Sequence, residues 1–125
     1  MTGLFYVMFG GAVGAGLRHL AGIWTMRILG SGFPSGTMIV NIVGSFAMGL
    51  LVVWLSKRSE ASMAMRLGLA TGLLGGFTTF SSFSLDALAL WERGNVGLAF
   101  IYVFGSVALA LIGIAAGLAI GRATL

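Results

Sequence analysis

The chain has no cysteine, one proline, one histidine and only three carboxylates in 125 residues. Without cysteine there is no disulfide scaffold, no thiolate zinc site and no Cys nucleophile. His19, Asp86 and the hydroxyls form no recognisable nucleophile and base arrangement, so an enzyme is not expected. Charge of either sign is also scarce: Asp, Glu, Lys and Arg make up 8% of the chain, against roughly 25% in an average soluble domain. Ten charged side chains cannot coat a water-facing surface of this size, so the solvent is lipid. The formal net charge of +4 then bears on membrane orientation, and no nucleic-acid partner is expected.

What is present is long apolar sequence, 58% hydrophobic with a mean hydropathy of +1.07. Residues 1–17, 28–56, 67–85 and 94–121 carry no charge. A helix rising about 1.5 Å per residue needs about 20 residues to cross a hydrocarbon core roughly 30 Å thick. The gaps therefore predict an all-α membrane protein, a single transmembrane domain over residues 1–125 with helices at about 3–26, 36–55, 66–90 and 96–120. Strands of a membrane barrel would alternate apolar and polar residues, whereas these runs are continuous. No Lys or Arg precedes the first span, so it lacks the basic start of a cleavable signal peptide and is expected to stay. Pro34, Ser35, Gly36 and Thr37 read as a loop and helix start. Residues 56–64 read as the one thoroughly wet connection.

Four helices put both termini and the second loop on one side, with Lys57, Arg58, Arg66 and Arg122, against Arg27 and Arg93 on the other and Arg18 near it. That is a shallow bias under the positive-inside rule. A single orientation and a dimer of oppositely oriented copies both fit it. Twenty-one glycines are well above the roughly 7% average. Gly68, Gly72 and Gly76 repeat every four residues, as do Gly113, Gly117 and Gly121, and Gly10 with Gly14. In lipid, helices pack through small residues, so these faces read as helix–helix seams. Four such helices enclose little interior, which points to a homo-oligomer, most simply a dimer. The run Gly11–Gly16 is no dinucleotide fingerprint, because neither a preceding strand nor an acidic residue about 20 positions on accompanies it.

Polar side chains inside spans are functional candidates by default. Asn41 sits in the second span. The third reads Thr71-Gly-Leu-Leu-Gly-Gly-Phe-Thr-Thr-Phe-Ser-Ser-Phe-Ser84, with glycines and hydroxyls where hydrocarbon is thickest. Gly75 and Gly76 beside Thr78 and Thr79 are poor helix material. A break near the middle would free carbonyls able to bind a cation, while an unbroken helix would bond its hydroxyls to its own carbonyls. Phe77, Phe80 and Phe83, three apart, would stack along one helical face. Phenyl edges are positive, and together with Asn41, Ser81, Ser82 and Ser84 they suit a small, hard anion. No carboxylate accompanies them.

Three stretches carry a family resemblance: Gly-Gly-x-x-Gly-Ala-x-x-Arg from Gly10 to Arg18, Gly36-Thr37-x-x-x-Asn41-x-x-Gly44-Ser45-Phe46, and Gly75-Gly76-Phe77-Thr78-Thr79-Phe80-Ser81-Ser82-Phe83-Ser84. Over nearly the whole chain the sequence resembles the Fluc or CrcB fluoride channels of microbes. The resemblance implies an antiparallel, dual-topology homodimer in the cell (inner) membrane, with two pores that let fluoride leave the cell passively. It assigns Phe80 and Phe83 to an aromatic box, Asn41 to donation toward fluoride, and Ser81 and Ser82 to a hydroxyl pair between the rings. Tyr102 and Ser106 match a polar track on the fourth helix, and Arg18 the arginine near the end of the first. The carbonyls of Gly75 and Thr78 from both subunits would hold a structural sodium ion. His19, Ser82 and Asp86 depart from the family's pattern.

Two other readings compete. A proton-coupled exporter of cationic compounds, resembling the small multidrug-resistance proteins, needs a membrane-embedded carboxylate. None precedes Glu60, and Asp86 lies toward the end of the third span. An accessory subunit docking on a larger complex explains the glycine faces but not Asn41 or the Phe-Ser-Ser-Phe run.

Overall fold

The computed structural model describes residues 2–58 and 60–125. Among these the protein is entirely helical, without a strand. Helix α1 spans Thr2–Leu29, α2 Ser35–Ser56, α3 residues 63–77, α4 Phe80–Glu92 and α5 Val96–Thr124. Together α3 and α4 make one membrane crossing, Met63–Glu92, so four stretches are long and apolar enough to span a bilayer. Each expected span lies inside the observed one, and the third is broken, as the first of the two open alternatives held.

Local chemistry ends each helix. Gly30 and Gly94 hold φ of 81° and 84°, left-handed values that a side chain would disfavour. At Gly94 the α4 terminus closes as a Schellman pair: Asn95 N donates to Leu90 O (3.0 Å) and Gly94 N to Trp91 O (3.1 Å). Ser62 Oγ accepts from Met65 N at 3.0 Å to start α3. Arg66 Nη2 reaches back 3.2 Å to Leu55 O and caps the end of α2.

One feature was not expected. Within α3, the stretch Leu67–Leu74 is a π-helix, and the Gly75 amide donates to Ala70 O five residues back. Long π stretches are rare. The residues Leu-Gly-Leu-Ala-Thr-Gly-Leu-Leu give no local warning of it.

The glycine repeats form seams within the protomer. α2 lies along α5, and α1 lies along α3. A Cβ placed on Gly49 would sit 2.5 Å from Ile114 O and 2.8 Å from Leu118 N, and one on Gly76 would sit 2.7 Å from Gly11 O. On α1, Gly10 and Gly14 abut the carbonyls of Gly68 and Leu73. Backbone meets backbone at both seams, which is how helices gain packing where lipid is as apolar as leucine. A smaller cluster of Phe83, Leu90, Ala99 and Tyr102, flanked by Phe33, Met38, Ala87 and Val103, joins α4 to α5.

A candidate anion pathway at the helix break

The sequence places the break near Gly75 and Gly76. In the structure both glycines are helical, and the chain extends two residues later, with Thr78 at φ −87°, ψ 159° and Thr79 at φ −153°, ψ 121°. The cause is a residue from another helix. Asn41 Oδ1 accepts from Thr79 N at 2.8 Å, and Asn41 Nδ2 donates to Thr79 O at 3.0 Å. One side-chain amide thus supplies both partners that the helix would have given Thr79. Close approach of α2 depends on Gly44, where an added Cβ would strike the Thr78 methyl.

The neighbouring groups follow from this clamp. Thr79 Oγ1 accepts from Ser82 N at 3.1 Å and starts α4 as its N-cap; it also shares a 3.3 Å hydrogen bond with Ser81 Oγ. Thr78 Oγ1 turns back to Leu74 O at 3.0 Å. Arg18 Nε donates to Gly76 O at 3.1 Å, so the guanidinium in α1 serves a carbonyl beside the break. With Thr79 N diverted to Asn41 and Ser82 N to Thr79 Oγ1, the carbonyl oxygens of Gly75 and Thr78 meet no donor among the described residues.

Beside the break lies a cavity of about 320 Å³, whose walls include Asn41, Thr78, Thr79, Phe80, Phe83 and Ser106 but no charged side chain. Ser106 Oγ is buried and has no hydrogen-bond partner among the described residues. Phe83 is buried, whereas Phe80 is 78% exposed; their ring centroids lie 5.6 Å apart at 45°. Tyr102 is fully buried, its ring 5.2 Å from that of Phe83, and its hydroxyl donates to Asp86 Oδ2 at 3.2 Å. A second cavity, of about 380 Å³, opens beside the α1–α2 connection, with Phe33, Thr37, Asp86 and Arg93 in its walls.

The structure therefore brings Asn41, Phe80, Phe83, Ser106 and Thr78 to one place, with Tyr102 packed directly behind Phe83. It does not bring Ser81 or Ser82 there: neither is a wall residue of this cavity, and Ser81 Oγ lies on Thr79 Oγ1 instead. The expected stripe of Phe77, Phe80 and Phe83 is interrupted, since two extended residues separate Phe77 from the helix that carries the other two. Asp86, the carboxylate a cation exporter would need, accepts from Tyr102 at the outer cavity and is absent from the inner one. Sequence reasoning missed Thr79, the hub of the clamp. Its signal was a threonine directly ahead of the apolar α4, the usual place of an N-cap.

Four apolar crossings, one broken at mid-span beside a largely apolar, uncharged cavity with a few polar groups, define a multi-pass membrane protein of the kind that moves small solutes. Residues 5–118 match the family described as CrcB-like protein, Camphor Resistance (CrcB). The chain is also similar to proteins named fluoride-specific ion channel FluC. The one from Agrobacterium fabrum is 53% identical over 122 residues, 98% of each chain. The one from Chelativorans sp. is 51% identical over 125 residues, all of both chains, and that from Cereibacter sphaeroides 52% identical over 122 residues, 98% of this chain and 96% of the other. This chain belongs to the CrcB family.

Proposed function

We propose that this chain is the subunit of a fluoride-selective channel that lets cytoplasmic fluoride leave the cell passively and so limits its toxicity. The names of its relatives support this, and so does the chemistry of the inner cavity. An isolated anion in a low-dielectric interior pays roughly tens of kcal/mol, so water must be replaced as it is lost. The uncharged walls offer replacements: the free Ser106 hydroxyl, the second amide proton of Asn41, and the positive edges of Phe80 and Phe83. None is a fixed countercharge, so an ion held by them can move on. The observation that carries the reading is the meeting of Asn41, Phe80, Phe83 and the unpartnered Ser106 in the walls of one uncharged cavity.

A second copy completes the pathway in this reading. Phe80, Gly75, Ser81 and Ser84 are exposed at mid-span, and bare hydroxyls and carbonyls in hydrocarbon cost several kcal/mol each. An oppositely oriented partner in the cell's inner membrane would cover them, and the shallow charge bias permits that insertion. Gly75 and Thr78 fit the sodium ion that the family implies, since their carbonyls have lost their helical donors and Gly75 is exposed toward a partner. When bound, that ion supplies positive charge at the centre of the dimer.

The test is fluoride efflux from proteoliposomes followed with a fluoride-selective electrode, with chloride as control. Wild type releases fluoride and retains chloride. Phe80→Ile and Asn41→Asp release fluoride far more slowly while the purified protein still elutes as a dimer. Unchanged efflux in both variants would overturn the reading.

A further inference from the structure

The inner and outer cavities follow one another along three helices. On α2, Thr37 lines the outer and Asn41 the inner; on α4, Asp86 the outer and Phe83 the inner. On α5, Tyr102 bonds Asp86 of the outer wall, and Ser106 lines the inner. Each pair is three or four residues apart, about one helical turn or 5.4 Å. Tyr102 lines neither cavity. It is fully buried between them, its ring on Phe83 and its hydroxyl on Asp86, so it forms the partition.

Phe33 is what presses on the partition from outside. It belongs to the short α1–α2 connection and lines the outer cavity. Its ring meets that of Tyr102 edge-on, with centroids 5.5 Å apart and planes at 85°. Pro34 follows it, and Ser35 N donates to Phe33 O at 2.8 Å, so the backbone holds the ring at a set height.

We propose that Phe33 is a positioning residue for selectivity: through its edge contact it fixes the ring of Tyr102, and thereby the width of the partition between the two cavities. This rests on the channel reading above. Phe33 touches no ion itself. With the ring fixed, the gap beside Tyr102 admits only a small anion; with the ring free to tilt, a larger one passes.

The experiment measures fluoride and chloride release from proteoliposomes for wild type, Phe33→Tyr, Phe33→Leu and Tyr102→Phe/Phe33→Leu, each purified as a dimer. An edge-to-face pair is worth about 0.5–1.5 kcal/mol, so Phe33→Leu should raise the chloride-to-fluoride ratio roughly two- to tenfold. Phe33→Tyr keeps the ring and the wild-type ratio. Val103→Ala, which thins the same apolar cluster without lining the outer cavity, lowers thermal stability and leaves the ratio alone. Tyr102→Phe, measured alone beside the double variant, keeps the ring and its edge contact, so Phe33→Leu should raise the ratio by the same factor on that background. A wild-type ratio in Phe33→Leu, or an equal rise in Val103→Ala, overturns the proposal while wild-type fluoride release keeps the channel reading intact. A wild type that releases no fluoride overturns both.

Discussion

The glycine seams and the helix break use backbone in opposite ways. At the α2–α5 seam, where Gly49 faces Ile114 and Gly117, two backbones touch with no side chain between them and every peptide group keeps its own helical partner. At the break, Thr79 gives up its helical partners and takes both from the side chain of Asn41. The first arrangement yields packing and no chemistry. The second leaves the Ser106 hydroxyl unpaired and two carbonyls free. In a chain with so few polar groups, packing at the seams comes from the residues with the least side chain.

That contrast is sharpest at Gly49. Gly49→Ala adds only a methyl, yet the methyl would lie 2.5 Å from Ile114 O, and backbone cannot turn aside as a side chain can. Overpacking typically costs about 1–3 kcal/mol, and a clash with backbone lies at the upper end, so the variant should lose much of its folded yield in detergent, scored by size-exclusion profile and thermal denaturation. A normal profile and melting temperature would mean that the seam is looser than the geometry shows.

Asn41→Ala comes next and separates the two regions. It strips both partners from the Thr79 backbone inside the membrane, where net losses per hydrogen bond run at about 0.6–2 kcal/mol. The seams are untouched, so the folded protein should still purify, with a lower melting temperature. Fluoride efflux should fall by about two orders of magnitude or more, since a loss of about 2.7 kcal/mol at the clamp corresponds to a hundredfold. Efflux within a few-fold of wild type would show that the break holds itself open.

Much of this was legible in the sequence, and what was missed was missed for physical reasons. Ten charges separated by long gaps define the four crossings, because lipid penalises charge wherever it falls. Asn41 and Phe83 were legible as a polar and an aromatic residue in a span, whereas Ser106 came only with the family resemblance. The position of the break was not, because a partner 38 residues away in sequence sets it and local propensity pointed at the glycine pair instead. Ser81 and Ser82 came from their hydroxyls and from the family resemblance; in this protomer neither lines the cavity, and Ser81 is exposed and bonded to Thr79 Oγ1. The π stretch has no local signal either: its residues suit an α-helix, and it lies where Gly68 and Gly72 of α3 press against Tyr6, Val7 and Gly10 of α1.

Ser106→Ala tests the polar side alone, with a smaller effect. A buried hydroxyl without a partner costs about 1–3 kcal/mol, so its removal should leave the melting temperature unchanged or raise it by a few degrees. Fluoride efflux should nevertheless fall, by about tenfold or somewhat more if one hydrogen bond of roughly 1.5 kcal/mol to the anion is lost. A variant that is less stable and conducts normally would assign Ser106 to packing.

The smallest effect is expected at Gly16, and it returns to the substitution used at Gly49. Gly16 lies inside α1, is exposed, and has no atom within 4 Å of an added Cβ. Alanine there gains about 0.8–1 kcal/mol of helix propensity against no clash, so Gly16→Ala should raise the melting temperature slightly and leave efflux unchanged. The same methyl would then have opposite signs at two helical glycines, with contact to a second backbone as the only difference. If Gly16→Ala instead splits the dimer into folded monomers on a size-exclusion column, the face of α1 that carries Gly16 meets the second copy, and the seam principle extends from within the protomer to the contact between subunits.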